Sequence, residues 1–496
     1  MHQVVASLWQ KLSFGNNHSV GKEEIRSDTV STIARVYEKA RNALEYRADH
    51  LVRRAAIERM LRRQVLLYDN ADQVATELMT ELKWAKYISA IELEQGNANK
   101  LRGIIEKYWS FLHSSQVSGD WLTGVLSAEI DEIFTLNNDY QIFTNFAFQT
   151  IKQKVSSKVF EVENFDLVLF SAVDRVISQS DEAQVSYHIL KLCHGDILST
   201  YKLYKTSINH SLKNKTSGYV RSQQAPIVLL RDMYFYNPIR FREVMTNQDS
   251  FINYSHTVLI DQLKQTDSRI QTAAFRSVVY VFLTKMLVGL LLEIPVDKLL
   301  YGHLNYFALL INLLVPPLVM MLMAQNVSLP NSSEQKILSD KAWQIISDFD
   351  SLKNDRDLFR VYSQYGWSYY LFSGLYTIVF VAIFVVLFYV LSKLRISFVS
   401  QGLFVFFLCL VSFFAYRIRQ IANLYYYNPT RRGGALGEMF MLPIVVVGGY
   451  LSRGISYLNV IAFVFDFILE APIKILLRFL DHWAQFLSLK RDEVVG

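Results

Sequence analysis

The hydropathy pattern divides this chain of 496 residues near position 273. Before that point apolar residues recur every three or four positions among frequent charges. After it they run together. From about Lys22 to Tyr68, without proline or glycine, Val30, Ile33, Tyr37, Ala40, Leu44, Ala48, Leu51 and Ala55 form one apolar stripe, with coiled-coil spacing over its middle. Asp49–Arg53, Arg54–Glu58 and Glu58–Arg62 stand at i,i+4 on the other faces. The same periodicity predicts helices over about 71–89, 99–113, from Trp121, and over 143–155, 165–177, 182–193 and 196–204. A polar stretch (211–226) and MYFYNPIRFRE (233–243) predict breaks before a last helix from about Ser250 to Thr272. No run alternates with period two for long enough to predict a sheet, so this half reads as an α-helical array.

The second half opens with AFRSVVYVFLTKMLVGLLLEIP, a short polar break and LNYFALLINLLVPPLVMMLMA, between Ala274 and Ala324. Each run has the roughly 20 residues that a helix needs to cross a bilayer core, which predicts a hairpin. Gly366–Leu391 carries no charge and gathers its tryptophan and tyrosines at one end, as an interface belt requires. Ile396–Tyr416 follows the basic turn SKLR, making four spans. Between the hairpins, 326–365 is polar, with Trp343, Ile345, Ile346, Phe349, Leu352 and Leu358 at helical spacing, an amphipathic connector expected to pack on the amino-terminal half. Beyond Arg417, MFMLPIVVVGGYL (439–451) is too short to cross, Arg453 interrupts, and 455–469 contains Asp466. Two half-length insertions folded as a hairpin are expected there, with a single tilted span as the alternative. The tail 473–489 carries Leu and Trp on one side and Lys474 and Arg478 on the other, the pattern of a helix lying in the membrane plane.

Composition fits two unlike halves. Hydrophobic residues make up 51% and charged residues 19%, with 33 phenylalanines suited to hydrocarbon and 28 tyrosines suited to its boundary. The net charge of +6 suits anionic lipid headgroups and is too small to argue for nucleic acid. Two cysteines, Cys193 and Cys409, cannot staple a fold, which points to a reducing compartment. The first residues lack the basic and apolar regions of a signal peptide. Arg269, Arg276, Arg417, Arg419, Arg431 and Arg432 flank the spans on one side, against Lys298, Lys393 and Arg395 on the other, which predicts a cytoplasmic amino terminus. The SKLR turn dissents.

Candidate chemistry is sparse. GNNHSVGKE (15–23) has the wrong spacing for a phosphate loop and Glu where Ser or Thr must hold magnesium. No CxxC, HExxH or GxSxG occurs, and the six-residue separation of His188 and His194 puts them on different helix faces, so no metal, cofactor or catalytic set is implied. Arg53, Arg54, Arg59, Arg62 and Arg63 read as an ion-paired helix face before a phosphate patch. RRGGALGE (431–438) reads as a turn near the membrane surface. YFYNPIR (234–240) and YYYNPTR (425–431) echo one another without a wider repeat. Arg417, Arg419, Arg431, Arg432, Lys474 and Arg478 are candidate contacts for anionic lipid.

The strongest hint is charge inside the spans. Lys285 falls near the middle of the first run, Glu293 lies eight residues on, and Asn312 and Pro316–Pro317 interrupt the second. Polar groups at such depth face a bundle interior or a wet cavity, so Lys285, Glu293, Asn312 and Asp466 form a candidate intramembrane polar site, with structural pairing of Lys285 as the plainer reading.

The expectation is an all-α, polytopic membrane protein of the inner (plasma) membrane. It comprises a cytoplasmic helical domain (1–272), a hairpin (273–325), a cytoplasmic connector (326–365), a second hairpin (366–416) and a re-entrant or interfacial end (417–496). A membrane-anchored scaffold presenting helices to a cytoplasmic protein partner or to another copy of itself is the first functional reading. A transporter or channel subunit working through the first hairpin is the alternative.

Overall fold

The computed structural model describes residues 3–12, 51–88, 96–114, 116–135, 139–156, 162–301, 306–325, 329–354, 367–394, 396–427 and 435–457, with single positions outside these ranges. The described residues are 88% helical and contain no strand. They form two compact units. An array unit comprises Ala6–Lys152, Phe160–Gly218 and Asn459–Gly496, and an apolar unit comprises Met1–Val5, Gln153–Val159 and Tyr219–Leu458.

After α1 (Gln3–Lys11), the array is built from α2 (Val52–Leu67), α3 (Ala71–Trp84), α4 (Ala98–Leu112), α5 (Gly119–Ile133), α6 (Asp139–Gln153), α7 (Phe165–Ile177), α8 (Glu182–Leu192) and α9 (Ile197–Asn209). Its core joins Ile57, Met60 and Leu61 of α2 to Leu78 and Leu82 of α3, Leu101 and Ile105 of α4, and Leu122 and Leu126 of α5, all fully buried. Asn70, Asp181 and Asp196 cap α3, α8 and α9 by accepting hydrogen bonds from first-turn amides. Hydrogen bonds from Ser199 hold the Asp196 carboxyl below its ordinary range. Tyr108 and Tyr187 donate to Glu129 and Glu132, and burial pushes both phenols far up.

All five arginines of the basic group meet carboxylates. Arg53 binds Asp131 at 2.5 Å, Arg54 binds Glu58 and Asp181, Arg59 binds Glu38, Arg62 binds Glu58 and Asp120, and Arg63 binds Glu81. The ion-paired reading therefore describes this face, but most partners are distant in sequence, and Arg54 is buried rather than solvated. Asp49, the expected partner of Arg53, lies outside the described residues.

The expected break over 211–226 is not there. α10 (Lys213–Tyr236) runs through it with Pro226 inside the helix. Val220, Ala225, Val228 and Leu229 are fully buried, so tertiary packing offsets the hydrogen bond that proline removes. The YNP break is real. α10 ends at Tyr236, Asn237 accepts from the Arg240 amide, and Pro238 opens α11 (Pro238–Val244).

In the apolar unit, α12 (Gln248–Val288) runs without a hinge from its Asn247 cap into a π turn (Gly289–Glu293) and α13 (Ile294–Tyr301). Helix thus continues through much of the expected polar break and past Pro295. α14 (Tyr306–Gln325) returns, and α15 (Ser332–Ser347) is the amphipathic connector. α15 packs on α12 through Trp343 against Phe251 and a Ser255–Ser339 hydrogen bond of 2.8 Å. α16 (Trp367–Lys393), α17 (Phe398–Ala422) and α18 (Ala435–Tyr457) complete the unit.

Among the described residues, three stretches have the length and apolarity to cross a membrane: Gln248–Leu299, Tyr370–Lys393 and Phe398–Tyr425. The fourth expected span falls on α14 (Tyr306–Gln325), within which Leu309–Met323 is a shorter apolar stretch. At 439–457 the chain does not turn at Arg453. α18 is one helix through Pro443 and Gly448–Gly449 to Tyr457, and the rest of the segment lies outside the described residues.

α17 is the centre, packing against α12, α14, α16 and α18. Its approach to α18 depends on glycine. A Cβ at Gly448 would overlap the Cys409 carbonyl oxygen, whereas one at Gly449 would sit 3.3 Å from the Phe413 ring. Gly448→Ala must therefore push two backbones apart at a cost of about 1–3 kcal/mol. We expect a clear drop in Tm for Gly448→Ala in detergent and a smaller one for Gly449→Ala. Equal, negligible shifts in both would refute the close approach.

Candidate functional site

Three of the four residues singled out within the apolar runs come together. Lys285 on α12, Glu293 at the end of the π turn and Asn312 on α14 are 1%, 2% and 0% exposed. In an uninterrupted helix Lys285 and Glu293 would stand about 80° apart and about 12 Å along the axis. The π turn lies between them and changes that register, and the Lys285 Nζ stands 3.8 Å from Glu293 Oε2. Asn312 Nδ2 donates to Glu293 Oε1 and, at 3.3 Å, to the Ser400 carbonyl of α17. Turning the amide over would set its oxygen against two acceptors, so this orientation is fixed. The Lys285 ammonium also lies 4.8 Å from the centre of the Phe407 ring.

Two atoms of this cluster are buried without a hydrogen bond among the described residues: Lys285 Nζ and Asn312 Oδ1. A 3.8 Å separation is an ion pair and not a hydrogen bond. Buried polar atoms in native proteins are nearly always partnered, so these two stand out.

The cluster continues outward in residues that sequence reasoning missed. Asp297 on α13 accepts from Ser397 Oγ at 2.6 Å and from Ser400 Oγ at 3.3 Å. Neither serine stood out, since Ser397 is simply the cap residue of α17. Only the separation of Asp297 from Glu293, one helical turn along the chain, could have suggested that both acids share a face.

At the other end of α17, Tyr425 donates to Asp232 at 2.7 Å and to Gln262 Oε1 at 3.3 Å. This sets the second YxYNPxR copy beside the residues that precede the first. Arg240 of the first copy lies over the Tyr254 ring, and the Asn-Pro-x-Arg part of the second falls outside the described residues. Of the candidate lipid contacts, Arg417 and Arg419 are exposed. Arg431, Arg432, Lys474 and Arg478, with Asp466 of the polar set, lie outside the described residues.

Elsewhere the chemistry closes on itself. His188 is held by Asp174 at 2.7 Å and Gln141 at 3.1 Å, and no metal-ligating group of three occurs among the described residues. A cleft of about 490 Å³ in the array unit is lined by Arg54, Glu58, Trp121, Asp181, Tyr201 and Tyr204, and its charges pair with one another. No family model, curated protein or solved structure matches the chain.

Stability separates the roles of the pair. Glu293→Gln or Lys285→Met leaves one buried charge uncompensated and should cost about 3–5 kcal/mol, whereas the double variant removes both charges and should regain most of that loss. Thermal melts of the four proteins in detergent give the coupling. Additive losses would show that the two groups do not interact.

Proposed function

We propose that this is a multi-pass protein of the inner (plasma) membrane, amino terminus in the cytoplasm, that moves a small ion through the Lys285–Glu293–Asn312 cluster as a transporter or channel subunit. The observation that carries the membrane reading is an inverted distribution of polarity in the apolar unit. Phe275, Leu283, Leu287, Leu291, Phe372, Ile378 and Val385 are exposed while Lys285, Glu293, Asn312, Ser400 and Ser412 are buried. Water would favour the opposite arrangement, and hydrocarbon favours this one. Only 6% of the most apolar stretch of α16 is covered by the rest of the chain, a surface that lipid would solvate.

Ion handling ranks above the scaffold reading because the polar residues of three separate elements converge. A scaffold has no need of an ion pair inside its anchor, and an apolar bundle without one would be simpler to assemble. Arg417 and Arg419, at the end of α17, suit the anionic headgroups of the cytoplasmic leaflet.

Reconstitution tests the function. Proteoliposomes carrying an entrapped pH dye should dissipate imposed proton or salt gradients faster than empty vesicles, and Glu293→Gln should fall to the empty-vesicle rate. Equal leak in all three rejects ion movement and favours the scaffold.

Orientation has its own check. Ser333→Cys in a Cys193→Ser background should resist an impermeant maleimide in intact cells and react after permeabilisation. Labelling of intact cells would reverse the topology.

A further inference from the structure

We infer that the cleft in the array unit binds the charged head of an organic cation, a guanidinium or alkylammonium group, against Trp121, Tyr201 and Tyr204, and that Lys205 is the cation the chain keeps there in its absence. Every residue that lines the cleft belongs to the array unit, so the inference stands apart from the ion-handling reading. A volume of about 490 Å³ is ample for a small organic ion or one side chain of a partner.

The wall is aromatic. Trp121 sits in the first turn of α5, and Tyr201 and Tyr204 stand three residues apart on α9, so both tyrosines share one face of that helix. The Trp121 ring centre lies 4.9 Å from that of Tyr201 and 6.0 Å from that of Tyr204. Polar edges hold two of the rings in place: Trp121 Nε1 donates to Ser186 at 3.0 Å and the Tyr204 hydroxyl donates to Glu182 at 3.2 Å. The Lys205 Nζ stands 4.5 Å from the centre of the Tyr201 ring, within reach of its negative π face. Lys205 is exposed and meets no carboxylate among the described residues, so the ring is what holds its ammonium.

Charge selects the sign of the ligand. Glu58, Asp120, Asp181 and Glu182 line the cleft against Arg54, Arg62 and Lys205. The terminal nitrogens of Arg54 are taken by Glu58, Ser127 and Asp181, and those of Arg62 by Glu58 and Asp120. No guanidinium fork is left for a phosphate or carboxylate. Those arginines also occupy three of the four acids, which leaves Glu182, whose basic neighbour Arg175 is 3.9 Å away. Once Lys205 swings out on its flexible stem, the lining holds two acids more than bases, and an incoming cation restores the balance beside the rings.

The test is calorimetric titration of the full chain in detergent and phosphate buffer with agmatine and with choline. The uncharged carbon isostere of choline is the control. Both cations should bind and the isostere should not. Tyr201→Leu should weaken them roughly threefold to thirtyfold, the worth of one ring, while Tyr201→Phe keeps the ring and the affinity. Lys205→Ala should bind both more tightly than the wild type, and it decides if Tyr201→Leu does not fold. Binding by Lys205→Ala alone supports the site equally, since the resident lysine is then the stronger competitor. A short capped peptide with one arginine that binds more tightly than agmatine assigns the head group to a partner protein, and the reverse order assigns it to a free amine. No binding by either the wild type or Lys205→Ala overturns the proposal. So does equal binding of the isostere, wild-type affinity in Tyr201→Leu, or an affinity that Lys205→Ala leaves unchanged.

Discussion

The apolar unit is arranged around one buried ion pair. Placing Lys285 or Glu293 singly among α12, α14 and α17 would leave a bare charge in a medium that cannot solvate it. Together they sum to zero, and Asn312 ties the acid to a second helix and, through the Ser400 carbonyl, to a third. The helices must then hold a common register to within the length of a hydrogen bond. Apolar packing alone would not impose that, because one leucine contact is much like another.

Register is fixed at two further points. Asp297 meets Ser397 and Ser400 at the start of α17, and Gln262 meets Tyr425 just past its end. α12 and α17 therefore run antiparallel, with Lys285 facing Phe407 between the two clamps. From Arg276 to Asp297 the chain rises about 32 Å at helical pitch, close to the ~30 Å hydrocarbon thickness of a bilayer, and Lys285 falls near the middle. A bilayer laid over that stretch would place the Asp297 clamp near one boundary and Gln262 about 21 Å beyond the other.

Much of this was legible in the sequence. The change from periodic to continuous hydrophobicity gave the apolar runs, and the rarity of charge within them singled out Lys285, Glu293 and Asn312 before any contact was known. Their meeting was not legible, since it depends on a π turn that no propensity marks and that changes the register between the first two. Asp297, Ser397 and Ser400 were missed for a related reason: a serine reveals itself only through the partner across the interface. In the array unit, i,i+4 spacing found Arg54–Glu58 and Glu58–Arg62, but the contacts from Arg53 to Asp131 and Arg63 to Glu81 depend on how α2 packs on α5 and α3. α10 ran past its expected break because burial outweighed the local cost of Pro226, and α18 ran past Arg453 as one helix.

The close contact of α17 with α18 also bears on how the cluster could work. α17 is gripped on one side by the Gly448 approach at Cys409 and touches the polar cluster on the other through Ser400 and Phe407. Sliding it to open the cluster would have to break a backbone contact with no slack. α14 is less constrained, because Pro316 and Pro317 interrupt its own hydrogen-bond ladder near Asn312. Bending there would move the Asn312 amide away from Glu293 while α12 and α17 stay in register. The asparagine helix is therefore the least constrained of the three, and both charges sit on the helical run of α12 and its π turn.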